Sequence, residues 1–316
     1  MDYRQLGRSG LRVSPLCLGA MMFGGATDEP TSARIIGRAR EQGINFVDTA
    51  DVYNEGRSEE VVGRAIRADR DWWVLATKLA NPTGPGPNDR GLSRRHCLLG
   101  AEASLRRLRT DVIDILYLHK EDDATPLAET VRAMADLVRA GKIRHFGVSN
   151  HRTWRVAEIC RLCDDFGIDR PVVSQPCYNA LNRMPEVEHL PACAHYGLGV
   201  VPYSPLARGV LTAKYRPGAP PPADTRAGRS DKRMAETEWR PESLAIAHIE
   251  LNRAKPLARR ELLRPLLGSK IRERPAHAAR RERLDNGRSH VPRAPEDERP
   301  APAATKCRHR PLPSRR

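Results

Sequence analysis

Seven strand-like apolar segments recur along this chain of 316 residues, and each is followed by an amphipathic stretch with helical spacing. Successive segments end about thirty residues apart, which is the length of a strand, a crossover helix and two loops. The segments end near Gly19, Asp48, Lys78, His119, Asn150, Gln175 and Ser204. Because repeated βα units align their strands in parallel, the pattern predicts an α/β fold built on one parallel sheet.

The loop after the first segment distinguishes an open sheet from a closed one. An open doubly wound sheet that binds a nucleotide carries G-x-G-x-x-G there, whereas residues 19–25 lack that spacing. The chain also lacks the G-x-x-x-x-G-K-S/T and G-x-S-x-G motifs. The pattern therefore favours a (β/α)8 TIM barrel, which gathers its chemistry at the C-terminal ends of its strands. Residues 3–13 are two short extended pieces around a Gly/Ser turn, and they predict an N-terminal β-hairpin at the opposite mouth.

The eighth βα unit is predicted to be absent or degenerate. Its candidate strand, residues 262–268, contains Arg264 and Pro265, and proline removes a hydrogen-bond donor from a sheet. Residues 251–316 are basic, rich in Arg and Pro and without aromatic residues, which is typical of a poorly ordered segment. We therefore divide the chain into a barrel domain, residues 1–250, and an atypical tail, residues 251–316. The tail is interpreted as an out-of-frame translation or, less favoured, as a basic segment that contacts nucleic acid or anionic surfaces.

The composition argues against several other classes of protein. The net charge is +15, and no apolar run approaches the ~18 residues of a membrane span. The seven cysteines are scattered and odd in number, which does not fit a disulfide framework. Cys160 and Cys163 lie in a helical stretch and are interpreted as incidental, so no metal site is predicted. With charged residues where a signal peptide needs apolar ones, we expect a cytoplasmic protein.

Four polar residues lie at or just past the ends of apolar segments, and they are Asp48, Tyr53, Lys78 and His119. A titratable group at the end of a buried strand is costly unless it lines a functional pocket. An acid, a phenol, an amine and an imidazole on one rim predict a proton-transfer site. Taken singly, each of the four has a structural alternative, such as a loop cap, a helix start, a solvated strand end or a rim histidine.

Six motifs, together covering residues 1 to about 245, carry a resemblance to a known family. They are Y-R-x-L-G-R-S-G-L-x-V-S at 3–14, D-T-A-x-x-Y at 48–53, A-T-K at 76–78, D-I-L-Y-L-H at 114–119, G-V-S-N at 147–150 and P-Y-S-P-L-A-R-G at 202–209. In this order and spacing the chain resembles the aldo-keto reductases, NADPH-dependent (β/α)8-barrel enzymes. Within that family it is most similar to the bacterial branch related to the potassium-channel β-subunits.

The resemblance implies a reaction and a role for each of the four polar residues. The reaction is reduction of a small-molecule aldehyde or ketone to the alcohol by direct hydride transfer from NADPH. Tyr53 would be the general acid, and the ammonium of Lys78 would favour loss of its proton. Asp48 would hold Lys78 in place, and His119 would orient the carbonyl or share the proton relay. Met22, Phe23 and Asn54 are candidates for a modest, mostly apolar substrate pocket.

The resemblance also implies a set of NADPH-binding residues. Side chains after the fifth to seventh strands would bind the carboxamide and stack on the nicotinamide ring, and the loop after the seventh would carry the pyrophosphate. The set is Gly19, Met21, Asp48, Ser149, Asn150, Gln175, Tyr203, Ser204, Leu206, Gly209 and Lys214. Ser149-Asn150 has the alternative role of a helix cap. No residue is assigned to the 2′-phosphate, because the segment that would supply it is not identified.

Two functional alternatives accompany the enzyme hypothesis. The first is a barrel that binds a nicotinamide cofactor without catalysis and regulates a partner protein. The second is an inactive aldo-keto reductase whose frame is shifted in the tail. The substrate itself and the oligomeric state are not predicted.

Overall fold

The computed structural model describes residues 1–212 and 214–247, and it begins with a β-hairpin. Strands β1 (Arg4–Gln5) and β2 (Arg12–Val13) pair in antiparallel fashion. Seven parallel strands follow in chain order within a second sheet. These are β3 (Leu18–Gly19), β4 (Phe46–Asp48), β5 (Val74–Leu79), β6 (Ile113–Leu118), β7 (Ile143–Ser149), β8 (Val173–Gln175) and β9 (Gly199–Val200).

Helices alternate with the strands and flank the sheet. They are α1 (Glu29–Glu41), α2 (Arg57–Ile66), α3 (Arg94–Leu108), α4 (Leu127–Arg139), α5 (Thr153–Phe166), α6 (His189–Tyr196) and α7 (Lys232–Thr237). Local signals set several of their ends. The Oγ of Ser93 accepts from the backbone N–H of His96 at the start of α3, while Gly43 and Gly141 follow α1 and α4 with φ of +80° and +69°.

Alternation of side chains along the strands gives the sheet two apolar faces. On β6, Ile115 and Tyr117 belong to an interior cluster, whereas Leu116 and Leu118 pack in the larger cluster beneath the helices. The interior cluster draws residues from β4, β5, β6 and β8, so the sheet is curled around it. This confirms the prediction of a parallel (β/α)-barrel architecture. The candidate eighth strand and the tail lie outside the described residues.

The N-terminal hairpin is confirmed, and it lies across the amino-terminal mouth of the curled sheet. Leu6 and Val13 are buried in the interior cluster. On one side the hydroxyl of Tyr3 donates to the carbonyl of Gly43 at 3.0 Å. On the other side the N–H of Arg8 donates to the carbonyl of Gly197 at 2.9 Å. The hairpin therefore connects the segment before β4 with the segment before β9.

Strand β9 is shorter than predicted. It ends at Val200 rather than near Ser204, because Pro202 has no N–H to continue the ladder. A single bridge between Cys177 and Tyr203 carries the pairing onward. Among the described residues, no helix is both long and apolar enough to cross a membrane.

Candidate active site

The two-residue period of the strands points three of the four predicted polar residues inward at the carboxyl-terminal end of the sheet. Ala76 and Tyr117 face the interior cluster. Lys78 on β5 and His119, just past the end of β6, come two positions later, and Asp48 ends β4 on the same face. All three are 9% exposed or less. Local strand geometry therefore explains why these polar groups meet.

Lys78 and Asp48 form a buried ion pair. The ammonium of Lys78, which is fully buried, donates to the Asp48 carboxylate and to the backbone carbonyl of Thr49 at 2.6 Å. The second carboxylate oxygen of Asp48 accepts from the amide of Gln175 at 3.0 Å. Burial opposes the charge on Lys78, but the Asp48 carboxylate and Tyr53 outweigh it, so the pKa of Lys78 is raised. The ammonium is therefore the favoured form of Lys78 at this site.

Tyr53 lies next to the ion pair of Lys78 and Asp48. It begins a 3-10 turn, Tyr53–Gly56, directly after the loop that follows β4. The ammonium of Lys78 lies 4.9 Å from the centroid of the Tyr53 ring. The His119 ring meets the Tyr53 ring edge-on, with centroids 5.9 Å apart. The structure therefore brings together all four residues that the sequence predicted.

The loop after Tyr53 is held in an unusual backbone conformation. Asn54, Glu55 and Gly56 have φ of +49°, +59° and +86°, three successive residues in the left-handed region. The amide of Asn54 donates to the carbonyls of Met21 and Phe23 at 3.0 and 2.8 Å. Asn54 therefore ties the loop after β3 to the loop that carries Tyr53.

Phe23 does not line the pocket, contrary to our interpretation of the sequence. Its side chain is 4% exposed and packs in the core cluster beneath the helices. The loop turns back at this point, because the N–H of Phe23 bonds to the carbonyl of Ala20. Met21 and Met22 remain partly exposed beside it.

His119 is held as a neutral imidazole. Its Nδ1 lies 3.0 Å from the amide nitrogen of Asn81. Because an amide nitrogen can only donate, the Nδ1 of His119 accepts this hydrogen bond and the ring proton is on Nε2. Burial lowers the pKa of His119 to about 3, and the charges of Lys78 and Arg233 act in the same direction. The Nε2–H is therefore a hydrogen-bond donor across the neutral pH range.

The residues predicted to bind nicotinamide form one hydrogen-bond network with three of the four polar residues, Asp48, Lys78 and His119. Ser149 donates through its hydroxyl to the carbonyl of Gln175 at 2.9 Å. The amide of Asn150 donates to the carbonyl of His119 at 2.9 Å, and its oxygen accepts from the hydroxyl of Tyr203 at 2.8 Å. Gln175 in turn contacts Asp48. The network thus runs from β4 to the residues after β9 without a break.

The loop after β9 has an unusual backbone conformation. Ser204, Ala207, Arg208 and Gly209 have φ between +46° and +99°. Within this loop the N–H of Ala207 donates to the carbonyl of Ser204, and the N–H of Gly209 donates to that of Leu206, both at 2.8 Å. A Cβ placed on Gly209 would lie 2.8 Å from the Nζ of Lys214, so the lysine ammonium lies directly over this loop. The ammonium of Lys214 gives this loop a positive charge that suits an anionic group.

Comparison with known proteins identifies the family. A sequence model described as "Aldo/keto reductase family" matches residues 15–262. The chain belongs to the aldo/keto reductase family. It is 43% identical over 226 residues to a "Probable voltage-gated potassium channel subunit beta" of Arabidopsis thaliana, covering 70% of this chain and 69% of that protein. It is 42% identical over 229 residues to the "Uncharacterized oxidoreductase YrpG" of Bacillus subtilis, covering 68% and 69%.

Three further residues lie near the site of this aldo/keto reductase, although the sequence patterns did not single them out. Asn81 comes just past β5, and the rule that selected the four polar residues would also have found it. Asp51 lies inside the D-T-A-x-x-Y motif but at an unspecified position. Its side chain is 3% exposed, and neither carboxyl oxygen has a hydrogen-bond partner among the described residues. Arg233 follows the seventh βα unit, where no sequence pattern connects it with the strand ends.

The other predicted cofactor residues lie around the rim of the aldo/keto reductase site. Gly19 pairs with Asp48 across β3 and β4. Met21 accepts from Asn54 through its carbonyl. Leu206 is 55% exposed at the loop after β9. Their positions are compatible with cofactor contacts.

Proposed function

We propose that this chain is an NADPH-dependent oxidoreductase of the cytoplasm that reduces an aldehyde or ketone to the alcohol, with Tyr53 as general acid. One observation carries the proposal. A fully buried and charged Lys78 lies against the ring of Tyr53, while Asp48 holds it there. Such a buried ammonium is costly unless it stabilises charge that develops nearby.

Carbonyl reduction needs a hydride at carbon and a proton at oxygen. When bound, the reduced nicotinamide supplies the hydride. Tyr53 gives its hydroxyl proton to the carbonyl oxygen, which becomes the alcohol, and the phenolate that remains is stabilised by the ammonium of Lys78. The carboxylate of Asp48 keeps Lys78 protonated throughout. Solvent protons then restore Tyr53.

His119 orients the carbonyl in this mechanism. Its ring lies edge-on to that of Tyr53, with centroids 5.9 Å apart, so a carbonyl oxygen placed between the two side chains would contact both. With Nδ1 occupied by Asn81, the Nε2–H donates to the carbonyl and draws electron density from its carbon. A neutral donor of this kind does not compete with Tyr53 for the role of acid.

The cofactor contacts belong to the same proposal. Gln175, Ser149 and Asn150 would bind the carboxamide, and Tyr203 would stack on the nicotinamide ring. The loop from Ser204 through Leu206 to Gly209 and the ammonium of Lys214 would hold the pyrophosphate. Gly19 and Met21 would border the nicotinamide end.

Replacement of Tyr53 tests the proposal. Tyr53→Phe removes only the hydroxyl, so aldehyde-dependent oxidation of NADPH is expected to fall by at least about a hundredfold, the usual contribution of a general acid. Binding of NADPH, followed by its fluorescence, should be retained. Tyr196→Phe on α6, away from the strand ends, is the matched control and should keep full turnover. Activity that survives in Tyr53→Phe contradicts the assigned mechanism.

A second function is favoured by the names of the plant relatives. Proteins described as potassium channel β-subunits share 43% identity with this chain. On this alternative the chain binds nicotinamide cofactor and regulates a partner protein without turnover. Tight NADPH binding combined with no oxidation by a broad panel of aldehydes and ketones would favour it over the enzyme.

A further inference from the structure

Arg233 lies beside the candidate active site although it is far from the strand ends in sequence. It belongs to α7, and its guanidinium is exposed. One guanidinium nitrogen lies 3.8 Å from the sulfur of Met21. Met21 is in the loop that Asn54 ties to Tyr53. The guanidinium therefore lies next to the loop that is tied to Tyr53, and its charge is close enough to His119 to help lower the pKa of that residue.

Packing fixes the position of Arg233. The next residue, Met234, is fully buried in a cluster with Ala207, Val210 and Tyr215. The backbone carbonyl of Arg233 accepts from the hydroxyl of Thr237. Helix α7, which carries Arg233, is therefore anchored to the loop after β9. This anchoring fixes where the charge of Arg233 lies.

The charge of Arg233 is not balanced by nearby carboxylates. On α7 and next to it, Asp231 pairs with Arg226 and Glu236 pairs with Lys232. Arg233 itself forms no ion pair within residues 1–212 and 214–247. Inside the pocket, the Asp48 carboxylate is already engaged by Lys78 and Gln175. An anion entering the pocket would meet positive charge without a competing carboxylate.

We propose that Arg233 binds an anionic group of the substrate, and that the preferred substrates are oxo acids in which a carboxylate is separated from the reacting aldehyde or ketone by a short carbon chain. The guanidinium presents paired N–H donors that match the two oxygens of a carboxylate. Tyr53 and His119 would bind the carbonyl end of the substrate, and Arg233 would bind its carboxylate. This inference deepens the proposed function and rests on it.

Two probes of equal chain length test this substrate class. Succinic semialdehyde carries the carboxylate, and its methyl ester is the neutral match. The wild-type protein is expected to favour the acid over the ester by at least about tenfold in kcat/KM. Arg233→Met should bring that ratio close to one, mainly through a higher KM for the acid. Arg233→Lys, which keeps the charge but loses the planar donor pair, should retain part of the preference.

A nearby exposed arginine provides the control. Arg229→Met removes one positive charge outside α7 and should leave the acid-to-ester ratio at the wild-type value. High salt should lower the ratio in the wild type and have little effect in Arg233→Met, because screening weakens an exposed ion pair. A ratio near one in the wild type overturns the inference while leaving carbonyl reduction intact.

A binding measurement separates this inference from the proposed function. Succinamate carries the carboxylate and an amide that cannot be reduced, and its Kd is measured by calorimetry for the wild type and Arg233→Met. Binding that Arg233→Met weakens at least tenfold supports the anion site even if neither aldehyde is turned over, and that result would remove only the enzyme proposal. Arg233→Met raising the KM for NADPH with an unchanged acid-to-ester ratio assigns the guanidinium to a cofactor phosphate and overturns the inference.

Discussion

A single hydrogen bond determines what His119 can do. Since the amide of Asn81 donates to Nδ1, the ring keeps its proton on Nε2 and presents it to the pocket. Without Asn81 the two tautomers would compete, and one of them would turn an acceptor toward the carbonyl oxygen. Orientation of the substrate therefore depends on a residue outside the four that the strand ends predicted.

His119 should not titrate in the range where histidines ordinarily do. Its pKa is lowered to about 3 by burial, with Lys78 and Arg233 adding to the effect. A plot of kcat/KM for an aldehyde against pH is therefore expected to show no inflection near ~6.5. His119→Gln should lower the level of activity but keep the shape of the curve.

Exposed His195 supplies the control for that experiment, because His195→Gln should change neither level nor shape. An inflection near ~6.5 in the wild type that disappears in His119→Gln would show that the imidazole takes up a proton during the reaction cycle. That outcome contradicts the neutral orienting role.

Among the elements, the N-terminal hairpin is the one whose fit can be tested most sharply. Gly7 has φ of +55°, and a Cβ there would lie 2.4 Å from the carbonyl oxygen of Val172 and 2.6 Å from that of Gly197. Gly7→Ala is expected to destabilise the fold by ~2–4 kcal/mol, through overpacking and left-handed strain. Thermal unfolding measures this as a drop in Tm.

Gly10→Ala in the same hairpin is the matched control. At Gly10 nothing lies within 4 Å of an added Cβ, so its Tm should stay close to that of the wild type. Equal melting of the two variants would mean that the hairpin does not dock against the segment before β9 in solution.

The sequence predicted the strands and the site residues that a local pattern of apolar and polar residues marks directly. Residues 73–78 form a continuous apolar run that ends in Lys78, and both the strand and its terminal amine were predicted. The end of β9 was misplaced because the apolar run continues into Pro202, whose missing N–H ends the ladder earlier. Arg233 comes close to the site only through tertiary packing, and no spacing along the chain encodes that.

For the molecule as a whole, Asp51 makes stability depend on pH in an unusual direction. Burial raises its pKa to about 8, Glu59 adds to this, and Arg107 and Lys78 only partly oppose it. Between pH 3.8 and about pH 8, Asp51 keeps its proton in the folded protein but has lost it in the unfolded chain. The contribution of Asp51 to the free energy of unfolding is therefore fully present below its ordinary pKa, and it is lost as the pH rises toward about 8.

Asp51→Asn should gain stability relative to the wild type as the pH rises through that window, by an amount on the order of 5 kcal/mol at its upper end. Denaturant unfolding at a series of pH values measures the difference. Exposed Asp111→Asn should show no such trend. A constant difference between Asp51→Asn and the wild type at all pH values would mean that Asp51 is ionised in the folded protein.

The docking of the hairpin also has a consequence for how the protein is made. The hairpin is synthesised well before Gly197, whose carbonyl it binds, so translation must pass that residue before the hairpin has its partner. Until then Leu6 and Val13 are nascent apolar side chains without their interior neighbours, which is the condition that chaperones recognise. The hairpin is therefore synthesised before most of the sheet but reaches its place only after it.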